Sequence, residues 1–158
     1  MCLRKNITAL SLCIAFLTAC SSSSDEPSSE YDLTGLDMSE ANILTVEYDA
    51  TQARFDVTLI HADDDEAGYA DWWQVETLDG NLLGRRELTH AHGNAAFTRT
   101  HYITVPAGID YVVVRGHDQT HDYGGQAIVY DLSTGIQDKI KQGSQALDFS
   151  NYPNMSAL

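Results

Sequence analysis

The sequence predicts an all-β domain, a seven-stranded antiparallel sandwich of the immunoglobulin-like class. From residue 42 onward the chain consists of short runs rich in β-branched and aromatic residues. Turn residues separate these runs about every eight to twelve positions, which is the spacing of a sandwich or a barrel. No long stretch keeps a helical period. Most connections are short, so we expect antiparallel neighbours in two sheets packed face to face.

Alternation of apolar and polar residues defines the individual strands. The second run is the clearest case, because Phe55, Val57 and Leu59 alternate with polar residues and give the strand one apolar face. Asp79-Gly80-Asn81 favours positive φ and predicts a direct hairpin between the third and fourth strands. The predicted strands cover residues 43–48, 54–60, 72–78, 82–89, 97–105, 111–116 and 126–132.

The N-terminus has the features of a bacterial export signal. Arg4 and Lys5 precede an apolar run over residues 7–17 that is too short to span a bilayer, so residues 1–19 are predicted to be a signal peptide. The signal ends in Leu17-Thr18-Ala19-Cys20, which resembles the bacterial lipobox. An ordinary secretory signal that happens to end near a cysteine is the alternative.

The lipobox resemblance implies that Cys20 is the first mature residue and is acylated. Several acyl chains anchor a protein stably to a membrane, whereas a single chain does not. Ser21 rather than an aspartate follows Cys20. By the sorting pattern of such lipoproteins, this implies the outer membrane of a Gram-negative bacterium, with the domain facing the periplasm or the cell surface.

Three segments follow the signal peptide. Residues 20–40 are rich in serine and acidic residues, and they are predicted to be a flexible tether because so few apolar groups cannot repay the entropy of ordering. Residues 41–133 form the β-sandwich. Residues 134–158 are expected to be a weakly structured tail, with one or two helical turns over 136–142.

Charge and cysteine content limit the partners of the mature chain. Loss of Arg4 and Lys5 leaves seven basic residues against 23 acidic ones, a formal charge of −16. Nucleic acid is therefore excluded as a partner and cations are favoured, although the same charge also serves solubility. Cys2 and Cys13 leave with the signal and Cys20 is acylated, so no thiol remains for a disulfide or a soft metal.

Five of the six histidines are predicted to converge at one end of the domain. Successive antiparallel strands turn at alternate ends, so the loops after the second, fourth and sixth strands share one pole. Alternate residues of a strand face the same way, so His61 continues the inward row of Leu59. The converging histidines are His61, His90, His92, His117 and His121.

Neutral imidazole is the commonest metal ligand, and a histidine cluster without thiols suits Cu(II) or Zn(II). We expect His90, His92 and His117 to be the leading ligands, with His61 and His121 next. Further oxygen ligands, or partners that fix an imidazole tautomer, are predicted at Asp63, Asp118 and Asp122. His101 faces inward below this group and is expected to support it. Alternatively, these histidines are structural and bond only to carboxylates and carbonyls.

Other signals are weaker. Asp63-Asp64-Asp65-Glu66 offers oxygen ligands for Ca²⁺ but lacks the spacing of an EF-hand loop. By parity Trp72 faces outward, so Trp72 and Tyr69 could contact a glycan or an envelope protein, or Trp72 could lie beneath a loop. The sequence contains no nucleophile elbow, zinc-protease helix or phosphate-binding glycine loop, so no catalytic residue is predicted.

Residues 73–125 resemble a family of small exported bacterial proteins of uncharacterised function. The recurring features stand here as Leu83-Gly84-Arg85-Arg86, His90-Ala91-His92, Phe97-Thr98-Arg99, Val114-Arg115-Gly116-His117-Asp118-Gln119-Thr120-His121 and Gly124-Gly125. The resemblance covers about a third of the chain and implies no activity. Asp122 stands where the family often has glycine, which alters the loop or adds a ligand.

The residues together predict a lipoprotein anchored in the outer membrane that captures, delivers or senses Cu(II) or Zn(II) at one pole of a β-sandwich. A metal-independent module that contacts envelope proteins or carbohydrate is the alternative.

Overall fold

The computed structural model describes residues 31–63 and 67–152. Within these ranges the protein is all-β, with eight strands in two antiparallel sheets and no helix, hence no helix that could cross a membrane. The predicted signal peptide, Cys20 and the first part of the tether lie outside the described residues. So do the acidic residues 64–66 and the last part of the predicted tail, 153–158.

The smaller sheet has three strands in the order β1-β2-β5. These strands are β1 (Asn42–Asp49), β2 (Arg54–Ile60) and β5 (Phe97–Tyr102). The larger sheet consists of β3 (Ala70–Thr77), β4 (Leu82–Glu87), β6 (Tyr111–Asp118), β7 (Gly125–Asp131) and β8 (Gln137–Gln142). Its order is β4-β3-β6-β7-β8, so β3 and β6 are neighbours although they are distant in sequence.

The main core lies between the two sheets. Phe55, Val57 and Leu59 of β2 are fully buried there together with Trp73 and Val75 of β3. The alternation in β2 therefore correctly predicted its inward face, and the hairpin predicted at residues 79–81 joins β3 to β4. The inward rows of both sheets run up to the pole that carries the histidines.

The prediction of seven strands is wrong in number, because residues 137–142 form an eighth strand instead of helical turns. This strand pairs with β7 along the edge of the larger sheet. Its exposed lysines, Lys139 and Lys141, suit an unpaired edge, where charge discourages association with another chain. Only Ile140 packs on apolar residues, so the strand has no apolar period that could be recognised.

The segment 143–152 lies on the outer face of the larger sheet, in contrast to the weak structure expected of the tail. Phe149 is fully buried against Val113, Ala127 and Val129. A second, smaller apolar core therefore forms on the face opposite the main core. A single well-buried aromatic residue in an otherwise polar segment gives no periodic signal.

Residues 37–40, which the sequence assigned to the tether, are attached to the domain at the histidine pole. The Met38 carbonyl accepts a hydrogen bond from the Ala62 amide at 2.6 Å. The Asn42 side chain donates to the carbonyls of Asp37 and Glu40 at 2.8 and 2.7 Å. These bonds hold the start of β1 beside the loop that follows β2.

The loops that follow β2, β4 and β6 meet at this pole, as the antiparallel order predicted. Asp63, in the loop after β2, accepts a hydrogen bond from the backbone amide of His92 at 2.5 Å. The Gln119 amide, after β6, donates to the Tyr69 carbonyl at 3.3 Å.

Candidate metal site

His61 is the most buried histidine of the pole, only 2% exposed. It continues the inward row of β2 and so points between the sheets. Its Nδ1 is 2.5 Å from Oδ1 of Asp63, a buried carboxylate that also accepts a hydrogen bond from the Ala70 amide. A carboxylate only accepts hydrogen bonds, so Nδ1 carries a hydrogen, and in the neutral form of the ring Nε2 then presents a lone pair.

Asp118 approaches His61 from the other sheet. It ends β6 on the inward row of Val112 and Val114, and it is fully buried. Its two carboxylate oxygens have different environments. Oδ1 accepts hydrogen bonds from the backbone amides of Thr120 and His121 at 2.8 and 2.6 Å, whereas Oδ2 has no hydrogen-bond partner among the described residues.

His61 Nε2 and Asp118 Oδ2 face each other across a gap of 3.9 Å. Both atoms are buried, and His61 Nε2, too, has no hydrogen-bond partner in the described chain. A proton on Nε2 would not join them, because 3.9 Å exceeds hydrogen-bond distance. Leaving a buried acceptor unsatisfied costs about 1–3 kcal/mol. A cation placed between these two atoms would satisfy both of them.

His121 supplies the third group of the cluster. Its Nδ1 donates a hydrogen bond to Asp118 Oδ1 at 3.1 Å, so Nε2 is the nitrogen that remains free to bind a metal. One ligand atom from each of His61, Asp118 and His121 lies within 4.8 Å of the other two. Metal bonds to nitrogen and oxygen of about 2 Å place ligand atoms about 3–4 Å apart, so small side-chain movements would complete the set. No other such group of three occurs in the residues described.

The loop from Asp118 to Asp122 positions two members of the cluster by backbone geometry. The Asp118 amide donates to the Asp122 carbonyl at 3.1 Å, and the Gly124 amide donates to the His121 carbonyl at 3.1 Å. Asp122 has a φ of 57°, a left-handed conformation that aspartate tolerates better than most side chains. This explains how Asp122 replaces the glycine that the sequence resemblance leads one to expect here.

His90 and His92 lie outside the three-residue cluster. Their rings stack on each other with centroids 4.6 Å apart, and His92 stacks on Phe97 at 3.9 Å. Burial lowers the pKa of His92, and the nearby Arg99 lowers it further. His90 is exposed. The His92 backbone reaches Asp63, so this loop supports the carboxylate that orients His61.

His117 lies on the opposite, outer face of the larger sheet. Its Nδ1 is 2.7 Å from Asp71 Oδ1, and its Nε2 is 3.6 Å from Asp122 Oδ1. Its ring stacks on Trp72 with centroids 4.3 Å apart. The side-by-side positions of His117 and Asp118 in β6 send the two residues to opposite faces, so His117 is not part of the three-residue cluster.

Trp72 faces outward, as its parity predicted, but it is only 7% exposed. The Arg85 guanidinium lies 3.8 Å from its ring centroid. His117 and Arg85 cannot occupy the same ring face at these distances, so both faces of the indole are covered. Trp72 therefore offers no stacking surface to a sugar. Tyr69, which was expected to form a contact surface together with Trp72, is half-buried.

The Arg115 side chain is buried beneath the segment 143–152. It contacts Glu76 at 2.9 Å, Gln142 at 3.0 Å and the Leu147 carbonyl at 3.2 Å. Burial lowers the pKa of Arg115, and Glu76 opposes this shift. Arg115 and Glu76 were hard to recognise as a buried pair because they come from strands that are distant in sequence.

His101 lies farther down β5, where it pairs with Phe55 and approaches the edge of Trp73 at 6.3 Å. It is half-buried and packs in the main core. Among the described contacts, none joins it to the cluster.

Comparison with known proteins gives one informative relative. The chain is 53% identical over 125 residues to a protein of the halophilic archaeon Halomicrobium mukohataei named "Putative lipoprotein". The alignment covers 77% of this chain and 62% of the relative, so this chain spans less than two thirds of that protein. No family model and no solved structure matches the chain.

Proposed function

We propose that this protein is an exported, lipid-anchored protein whose β-domain binds a divalent transition metal at His61, Asp118 and His121. The observation that carries the proposal is the 3.9 Å gap between His61 Nε2 and Asp118 Oδ2, two buried acceptors that face each other. A bound cation satisfies both atoms at once. Metal capture, delivery or sensing follows from such a site on an anchored domain.

The surroundings of His61 have the form of a metal centre. A histidine that ligates a metal through one ring nitrogen almost always donates its other ring hydrogen to a carboxylate or carbonyl, as His61 does to Asp63. The donor set of two imidazole nitrogens and one carboxylate oxygen favours Zn(II) or Cu(II) over Cu(I), which prefers sulfur. Calcium is disfavoured, because it takes six to eight oxygen ligands.

The lipid anchor is supported by two independent observations. Residues 17–20 resemble a lipobox, and the archaeal relative carries the name of a lipoprotein. We therefore propose that Cys20 is acylated and holds the domain at a membrane. Placement in an outer membrane rests only on Ser21 and a Gram-negative source, whereas the relative is archaeal.

The strand order supports an immunoglobulin-like sandwich with one added strand. Strands β1, β2 and β5 form one sheet, while β3, β6 and β7 form the centre of the other. In the constant-type immunoglobulin domain the first, second and fifth strands likewise share a sheet, opposite the third, sixth and seventh, but the fourth strand also belongs to that first sheet, whereas β4 here pairs with β3. Strand β8 is then the addition.

The alternative of a glycan-binding or protein-binding module loses its main argument, since both faces of Trp72 are covered. We therefore retain metal binding as the proposed function.

Elemental analysis of the full chain, extracted in detergent and purified without a histidine tag, tests the proposal. After dialysis against limiting Zn(II) or Cu(II), we expect about one metal ion per chain. Ligand at one hundred times its Kd should also add about 2.7 kcal/mol to the free energy of unfolding.

Three substitutions locate the site. His121→Ala should lower the retained metal sharply without unfolding the chain, because 40% of this side chain is exposed. His90→Ala and His117→Ala are the matched controls, since both rings lie outside the cluster. If His121→Ala retains the metal and His90→Ala loses it, the site lies in the His90–His92 loop instead. If the unsubstituted chain is folded but retains no metal, the proposal is overturned.

A further inference from the structure

We propose that the metal at this site keeps one coordination position open beside His121 and exchanges there with a neutral nitrogen ligand, the imidazole of an incoming donor or acceptor. This inference rests on the proposed metal site and adds how the ion enters and leaves it. It follows from the number of ligands, the exposure of each and the charge around the opening.

Among the described residues, which do not include Asp64, Asp65 and Glu66, the cluster supplies three ligands, whereas zinc in closed structural sites takes four. His92 is not placed to be the fourth. Its backbone amide binds Asp63, which lies on the Nδ1 side of the His61 ring, whereas the cation gap is on the Nε2 side. Sites with three protein ligands leave the fourth position to water or to an external ligand.

Exposure shows where this position opens. The side chains of His61, Asp63 and Asp118 are 3%, 0% and 0% exposed. The His121 side chain is 40% exposed, although it belongs to the same cluster. The two atoms of the gap are themselves buried, so an incoming ligand would approach from the side of His121, the exposed member of the cluster and the ligand that can swing away without opening the core.

Charge selects the incoming ligand. Asp63 and Asp118 together balance the two positive charges of a divalent ion. Asp37 belongs to the segment 37–40, which the bonds of Met38 and Asn42 hold at this pole, and its exposed carboxylate adds negative charge there. An anion entering here would meet this field within a strongly acidic chain, whereas a neutral imidazole would not.

The exchange would leave the oxidation state of the metal unchanged. The incoming imidazole forms one coordination bond at the open position, and the bond to His121 breaks as the ion leaves. Buried His61 and Asp118 release the ion last, because neither can move without disturbing both sheets. An acidic opening also concentrates free cations, which favours capture.

Cobalt(II) provides the test, because its visible absorption responds to coordination. The full chain loaded with Co(II) is titrated with imidazole and, separately, with azide. We expect a saturable one-to-one spectral change with imidazole. Azide should bind more weakly than imidazole, and its binding should weaken further as ionic strength falls, since repulsion is less screened.

Asp37→Asn isolates the charge at the opening. Its amide oxygen can still accept the hydrogen bonds from Ser39, so the turn should be kept. Azide affinity should rise about two- to five-fold while imidazole affinity stays the same. His90→Ala should change neither titration.

The outcomes separate the exchange inference from the metal site itself. If Co(II) binds at one per chain but imidazole leaves the spectrum unchanged, the site is closed and the exchange inference is overturned while the metal site stands. If azide binds as tightly as imidazole, the exchange inference is also overturned, because the open position then accepts anions. Failure to bind Co(II), Zn(II) and Cu(II) would overturn both.

Discussion

Two aspartate–histidine pairs, one on each side of the larger sheet, look alike but differ in consequence. On the inner face Asp63 binds His61 Nδ1, and on the outer face Asp71 binds His117 Nδ1, at 2.5 and 2.7 Å. Each ring also has a second carboxylate beyond Nε2, at 3.9 and 3.6 Å. The contacts along each ring are therefore nearly the same.

Burial and a third ligand separate the two pairs. The second carboxylate of the inner pair, Asp118, is fully buried and lies next to His121, whereas the outer pair faces Asp122, whose side chain is 63% exposed. Water can satisfy an exposed carboxylate at little cost, but not a buried one. The two pairs therefore differ in whether water can satisfy the second carboxylate, and this difference is why we propose a metal site only at the inner pair.

The outer face of the larger sheet carries the second apolar core, and disruption of this core should have the largest effect on the free energy of unfolding. Phe149→Ala should lower the free energy of unfolding by about 3–5 kcal/mol, the usual cost of deleting a buried aromatic ring. Urea denaturation measures this loss. Ile136→Ala, at a residue 62% exposed, should change stability by less than about 0.5 kcal/mol. Equal small effects in both variants would show that segment 143–152 is not integral to the fold.

Asp118→Asn is the most direct test of the carboxylate that faces His61 Nε2 on the inner side. The amide oxygen can still accept hydrogen bonds from the Thr120 and His121 amides, so the loop should be kept while the charge facing His61 is lost. We expect Zn(II) affinity to fall by more than about 100-fold, beyond the usual loss for partners that only orient a ligand. Competition titration with a chromophoric chelator measures it.

Asp122→Asn is the matched change on the outer face. Its effect on Zn(II) affinity should stay within about threefold, because solvent already satisfies that carboxylate. Similar losses in both variants would mean that the two faces share one site.

Asp63→Asn and Asp71→Asn compare the carboxylates that hold each Nδ1. Asp63→Asn should weaken Zn(II) binding by about 10–100-fold, because it removes the charge that fixes the tautomer of a ligand. Asp71→Asn should leave the affinity unchanged. The same chelator competition checks both, and a larger loss in Asp71→Asn would place the metal at His117 instead.

The smallest predicted effect is a pH dependence of stability that arises from the outer face alone. Burial, together with a hydrogen bond to Asp138, raises the pKa of Tyr152 to about 12. An unfolded tyrosine ionises near pH 10, so the folded chain binds more protons between about pH 10 and 12. Stability should therefore fall as pH rises through that window, because ionised Tyr152 loses its contact.

Tyr152→Phe should remove that part of the alkaline loss. Urea denaturation at pH 9 and pH 11.5 measures the difference between the two chains, and Zn(II) affinity at pH 7.5 should be equal in both. If the free energy of unfolding falls by the same amount between pH 9 and pH 11.5 in both chains, Tyr152 does not link ionisation to folding.

Sequence patterns alone predicted much of the fold, because strand periodicity is local. The alternation over residues 54–60 predicted β2 with its bounds, and the turn at residues 79–81 placed a hairpin correctly. Strand β8 was missed because it carries one partly buried apolar residue on an exposed edge. The segment 143–152 was missed because Phe149 alone attaches it, and one residue has no period.

The sequence by itself predicted that the loops after β2, β4 and β6 would share one pole and that His61 would point inward. Both follow from strand parity and the alternation of antiparallel connections, which depend only on neighbouring residues. Which histidines come together around the buried carboxylate of Asp118 was decided by tertiary structure. Asp118 reaches His61 only because two sheets pack face to face, and His117, one position earlier, is turned to the other side. Distances of this kind depend on packing between strands remote in sequence, which no local pattern encodes.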